Sequence, residues 1–186
     1  MEGDRRAEIV ERATDYALEH GLVGLSLRPL AAALGTSDRM LLYHLGSKDA
    51  LVVEVIRCSI RRSLAQLRAL SPSPSPGGAV HDQWRLRSAD EQQRCERLYV
   101  EASTLGLFGT EPYASAVAAS NEEWMAAVGD HLAASGVPEG QVPRLAALVE
   151  AAFMGFELDL PFDDGSAPAG LAALADAVDD LANADG

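Results

Sequence analysis

Residues 24–51, "GLSLRPLAAALGTSDRMLLYHLGSKDAL", break helical sequence twice within thirty residues, and the manner of the breaks decides the fold. Ser26 is an N-cap candidate for a helix over Leu27–Leu34. Pro29 falls in its first turn, where a missing N–H is tolerated because the first N–H groups have no partner within the helix. With Pro29 at the third helical position, Ser26 is expected to cap the amide of Arg28 instead. Gly35 ends this helix after about two turns. Thr36 or Ser37 caps the next, Asp38 occupies its first turn where the helix dipole favours an anion, and the helix runs to about Leu45. Gly46 ends it, and Ser47 caps a long helix over Lys48–Leu70.

Working outward, Ile9, Ala13, Ala17 and Leu18 recur at helical spacing and predict a helix over about Asp4–His20 that Gly21 terminates. Leu34, Leu41 and Leu45 are the expected shared core. One longer helix buttressing two short ones joined by a glycine turn makes a helix-turn-helix. In that arrangement the second short helix lies in the DNA major groove. Arg28 and Arg39 then suit guanine, Asp38 suits a cytosine amino group, and Lys48, Tyr43 and His44 suit phosphate oxygens. The plain alternative makes Arg28, Arg39 and Lys48 solvated charges, Ser26 and Ser37 caps only, and Tyr43 a half-buried packing residue.

Residues 8–52 resemble the DNA-binding domain of the TetR family of transcriptional regulators, through Gly21, Ser26, Gly35, His44, Leu45, Ser47 and Lys48 in the family's order. The resemblance implies that Ser26, Arg28, Asp38, Arg39 and Met40 face bases or adjacent backbone, with Ser37 beside them, and that His44 and Lys48 meet phosphate. One position departs: the family often has tyrosine where this chain has Leu42, and Tyr43 lies a helical step of about 100° away. The implied fold is all-α, with a helix-turn-helix domain over 1–47 and a helical effector-binding and dimerisation domain over 48–186. Composition alone would place the border at "SPSPSPGG", residues 71–78, which reads as a non-helical surface linker. The resemblance makes it a loop within the second domain.

The remainder reads as helices over 79–87, 88–108, 112–135, 139–160 and 168–183, punctuated by Gly109, Gly136 and "PFDDGSAP". The last two carry the stripes Leu145, Leu148, Val149, Ala152, Phe153, Phe156 and Leu171, Leu174, Val178, Leu181. The resemblance implies that this pair joins two copies into a homodimer reading a near-palindromic operator in double-stranded DNA. Trp84, Tyr99, Phe108, Trp124, Met125, Phe153, Met154 and Phe156 are candidates to line a pocket for a small lipophilic effector. Glu101, Glu157 and Asp159 lie on otherwise apolar helices, where one could orient a cationic group or all could be solvated.

The net charge of −13 argues against a nucleic-acid partner until it is divided. Residues 1–70 hold 10 Lys+Arg and 9 Asp+Glu, a net +1, whereas residues 71–186 hold 5 and 19, a net −14. The acidity thus belongs to the second part and disfavours polyanionic effectors there. His20, His44, His81 and His131 fall at no metal-ligand spacing. Cys58 and Cys95 sit singly in apolar patterns as reduced packing residues. No GxSxG or Walker pattern is present, so neither cofactor, metal nor enzymatic activity is expected. No apolar run suits a membrane span or a secretory signal, and a cytoplasmic regulator, most often a repressor, is the expectation. The competing readings are a helical effector-binding module without sequence-specific DNA binding and, less favoured, an enzyme.

Overall fold

The computed structural model of the chain describes residues 2–159 and 168–184. Among these residues every regular element is helical: α1 (Glu2–His20), α2 (Leu27–Leu34), α3 (Asp38–Leu45), α4 (Lys48–Arg68), α5 (Pro76–Arg87), α6 (Asp90–Leu107), α7 (Tyr113–Ala134), a single 3₁₀ turn (Glu139–Gln141), α8 (Val142–Asp159) and α9 (Gly170–Asn183). The fold class is therefore the expected one. Residues 161–167 of "PFDDGSAP" and the final residue of the helix expected over 139–160 lie outside the described residues.

The capping pattern placed α2 and α3 correctly because their punctuation is local. Gly35 ends α2 in the left-handed region (φ 69°), which costs a residue without Cβ little. Of the two cap candidates for α3 it is Ser37 that serves, its Oγ accepting the N–H of Met40 at 3.3 Å. Ser47 starts α4 in the same way, accepting from Ala50 at 3.0 Å. Ser26 differs from expectation. Its backbone is extended as an N-cap requires, yet its side chain makes no cap hydrogen bond. Pro29 has removed the usual donor, and the Ser26 hydroxyl is not consumed by capping.

The chain forms two compact units, one containing residues up to Ser63 with Asp90–Glu122, the other Leu64–Ala89 with the described residues from Glu123 onward. In the first, Ala13 and Ala17 of α1, Leu30 and Leu34 of α2, Leu41 and Leu45 of α3, and Leu51, Val55 and Ile56 of α4 share one core. Leu98 and Ala102 of α6 and Ala116 of α7 complete it. Arg62 of α4 donates to Glu11 at 2.5 Å and to Asp15 at 2.7 Å, and Arg6 donates to Glu54 at 2.9 Å, pinning α1 along α4. The Arg62 hydrogen bond holds the Glu11 carboxyl below its usual range.

In the second unit α9 packs chiefly on α5 and also meets α8. Its stripe of Leu171, Leu174 and Val178 is buried there within one chain. Burial pushes the His131 imidazole of α7 below its ordinary range, against the charge of Asp82. On α8 the stripe residue Leu148 is 39% exposed, while Leu145, Ala146, Val149 and Phe153 are buried.

The segment 71–78 corrects the linker reading. Pro76, Gly77 and Gly78 form the first turn of α5, and Ser75 caps it by accepting the Gly78 N–H at 3.0 Å. Proline is suited to a first helical position, where no donor is missed. Gly77 donates its N–H to Oδ1 of Asp179 on α9 at 2.7 Å, and a Cβ there would lie 2.8 Å from the carbonyl oxygen of Ala175. Ser73 is buried, with its N–H donating to Oγ of Ser135 at 3.0 Å. A glycine that resembles linker flexibility in sequence thus supplies room for a neighbouring helix. Asp179→Ala should cost about 1 kcal/mol by removing the side-chain acceptor of the Gly77 N–H, the Ser75 cap remaining. Gly77→Ala should cost about 1–3 kcal/mol by overpacking. Urea unfolding should show both as a lower midpoint with an unchanged slope.

Candidate functional site

The candidate reading surface is built on α3, a helix of eight residues that is too short to be stable alone. It buries only Leu41 and Leu45 and presents the rest. Ser37, Asp38, Arg39 and Met40 are exposed, and His44 is half-buried. Tyr43 is 68% exposed, which removes the packing alternative for it. Its ring meets His44 edge-on with centroids 5.1 Å apart. Leu42, at the position where the resemblance led to tyrosine, is 38% exposed. Ser26 and Arg28 at the start of α2 and Lys48 at the start of α4 are exposed as well.

Some cations of this unit are paired within it and others are not. Arg5, Arg6 and Arg62 are held by Glu8, Glu54, Glu11 and Asp15. Among the described residues Arg28, Arg39 and Lys48 enter no ion pair. Arg12, Arg57, Arg61, Arg94 and Arg97 of this unit likewise enter none, so what distinguishes Arg28, Arg39 and Lys48 is their exposed place in the first turns of α2, α3 and α4.

The expected effector residues divide between the two units. Tyr99 and Phe108 belong to the first, where the Tyr99 hydroxyl donates to Asn121 Oδ1 at 2.7 Å and Phe108 is 80% exposed. The other six belong to the second unit. There Trp84 and Phe153 are buried and form an aromatic cluster with half-buried Phe156, ring centroids lying 5.3–6.5 Å apart. Trp124 and Met125 are half-buried, as is Met154. Of the expected set Met125 lines an open groove of about 780 Å³ between α7 and α8, with Ala126, Gly129, Val142 and Ala146 on its walls.

An interaction absent from the sequence reading organises this cluster. Arg87 at the end of α5 is buried, and its guanidinium lies 5.1 Å from the Trp124 ring centroid and 5.2 Å from that of Phe153. It donates to Glu157 at 2.5 Å and to both oxygens of Glu150 at 2.7 and 2.8 Å. Glu157 is thus engaged by a protein cation, which replaces its expected role toward a cationic ligand. Glu101 is engaged too, because its carboxylate accepts the backbone N–H groups of Leu22 and Val23. It is half-buried and held by the chain's own amides. Asp159 is exposed. No group of His, Cys, Asp and Glu among the described residues is arranged to hold a metal ion, and no described helix is long and apolar enough to cross a membrane.

Together, a three-helix head with an exposed two-turn helix and an all-helical remainder define a helix-turn-helix chain. No family model and no curated protein matches its sequence. Solved structures do match its fold. A transcriptional regulator from Rhodococcus sp. RHA1 superposes with TM-score 0.74 at 20% identity, covering 97% of this chain and 96% of its own. A TetR-family transcriptional regulator from Rhodococcus sp. gives 0.70 at 16% identity over 95% and 97%. The multidrug binding protein EbrR, complexed with imidazole, gives 0.67 at 23% identity over 94% and 88%. The chain has the fold of TetR-family transcriptional regulators.

Replacing Arg87 by methionine should destabilise the protein by roughly 3–5 kcal/mol at neutral pH, because Glu150 and Glu157 lose their counter-charge while still buried. Urea titration at pH 7 would measure the deficit.

Proposed function

We propose that this chain is a ligand-responsive transcriptional regulator of the TetR type that binds a near-palindromic operator as a homodimer and acts as a repressor. The observation that carries the reading is the exposed first turn of α3. Asp38, Arg39 and Met40 are held outward by Ser37 capping and by Leu41 and Leu45, beside the exposed cations Arg28 and Lys48. That is the geometry by which a short helix reads base edges while flanking side chains meet phosphate. In this reading Ser26, Arg28, Ser37, Asp38, Arg39 and Met40 face the groove and its walls, and Tyr43, His44 and Lys48 face the backbone. The head spans 1–47, and 48–186 serves effector binding and dimerisation.

The similarity over nearly the whole chain to regulators, one of them a multidrug binding protein, supports a small lipophilic effector. With Glu101 and Glu157 occupied within the protein, apolar contact rather than ion pairing would carry its binding. The aromatic cluster about Trp84, Trp124, Phe153 and Phe156 and the groove beside Met125 are the surfaces that suit it. For the dimer, α9 has spent its stripe on α5. The outward face of α8 remains, where Leu148 and Leu158 are 39% and 52% exposed with the small residues Ala147, Ala151 and Gly155 between them. Small residues allow close approach of a paired helix across a two-fold axis.

Duplexes selected from random-sequence DNA, followed by fluorescence anisotropy across a salt series, test the reading. Affinity should fall steeply and log-linearly with salt. Lys48→Ala should weaken all sequences alike, whereas Arg39→Ala should cost about 1–3 kcal/mol on the selected sequence and relax preference at one base pair. Absence of any selected sequence would favour a helical module without DNA reading.

A further inference from the structure

The turn between α1 and α2 is held from a distant point in the chain. The N–H groups of Leu22 and Val23 both donate to Oε2 of Glu101 on α6, at 2.6 and 3.0 Å. Hydrogen bonds to an ionised acceptor are shorter and stronger than neutral ones, and two converging on one oxygen fix it in position. Gly21 is shaped around the same carboxylate. Its φ of 80° disfavours any side chain, and a Cβ there would lie 2.7 Å from Oε1. The turn has weak support of its own, comprising the Gly21 to Ala17 bond that closes α1 and the Leu25 to Leu22 bond that follows it. Ser26, as noted, gives α2 no side-chain cap. Meanwhile Leu98 and Ala102, flanking Glu101 on α6, are buried in the core that holds α2 and α3. Tyr113 of α7 and Asp49 of α4 converge here, since the Asp49 and Glu101 charges add to burial in pushing the Tyr113 phenol up.

We propose that Glu101 is a positioning residue that couples α6 to the DNA-reading surface. Seated on the two amides, its carboxylate holds α2 and α3 in the pose that binds DNA, and displacement of α6 by about an ångström unseats it and releases that pose. This rests on the regulator reading above and supplies its route of control. The distance dependence makes the contact suited to switching: a bond of 3.0 Å lengthened by an ångström is no longer a hydrogen bond. A head that is bound only when the carboxylate is seated has its apparent affinity set by the seated fraction.

The test compares the full-length wild type with Glu101→Gln, Glu101→Ala and Gly21→Ala. The probes are a duplex selected by the wild type and an unrelated duplex of equal length, with amide hydrogen exchange and thermal midpoints recorded alongside. Exchange at Leu22 and Val23 should quicken in all three variants. Affinity for the selected duplex should fall by about tenfold to a hundredfold in Glu101→Ala, the worth of charge-assisted bonds. Glu101→Gln, which keeps one acceptor oxygen, should fall between Ala and wild type, and affinity for the unrelated duplex should stay within about twofold of wild type throughout, since phosphate contacts alone set it. Faster exchange with unchanged selectivity overturns the proposal by making Glu101 a cap and nothing more. Equal losses on both duplexes, tracking the thermal midpoint, overturn it by making the effect one of folding. A wild type that selects no sequence overturns the regulator reading, and this inference with it.

Discussion

The structure depends on how two leucines hold a helix that cannot hold itself. An eight-residue helix has few internal hydrogen bonds to set against the cost of nucleation, so its order must come from packing. In α3 that packing is Leu41 and Leu45, both buried in the core shared with apolar residues of α1, α2 and α4. Every other outward position of α3 is thereby freed for contact with something else. The surrounding helices follow from this need. Three short or medium helices form too small a core by themselves, and Leu98, Ala102 and Ala116, lent by α6 and α7, enlarge it.

That borrowing gives the head a physical link to the rest of the chain. The half-buried Glu101 carboxylate and the buried Arg87 guanidinium are both engaged by partners far away in sequence, 78 or 79 residues for the first and 63 or 70 for the second. Long-range hydrogen bonds to a charged group tie each to one arrangement of its helices, and for Arg87 burial makes the pairing a condition of its charge. Such groups specify geometry more than they add stability. In the second unit the result is an aromatic cluster ordered about a cation of the protein's own.

The same distinction explains which features could be read from the sequence. The limits of α2 and α3 were legible because serine caps, Pro29, Gly35 and Gly46 act within a few residues of themselves. The outward set on α3 was legible because helical spacing leaves little choice once Leu41 and Leu45 are assigned inward. The start of α5 was not, since the need for Gly77 lies in Ala175 and Asp179, about a hundred positions away. Nor were Glu101 and Arg87, whose neighbours in sequence say nothing of their partners. Leu148 matched the stripe of α8 but faces outward, as periodicity alone cannot show which edge of a stripe a neighbouring helix will cover. The candidate effector residues are likewise distributed by the fold, into an aromatic cluster, a groove wall and an exposed helix end, which helical spacing does not show.

The central claim is that two copies of this head, related by a two-fold axis, read DNA through α3. Hydroxyl-radical footprinting on a selected duplex tests it most directly. The account expects two protected patches related by a dyad on one face of the duplex, with centres about 34–36 Å apart or a multiple of that, both lost together in Arg39→Ala. A single patch without a dyad, or protection that survives Arg39→Ala unchanged, would contradict it.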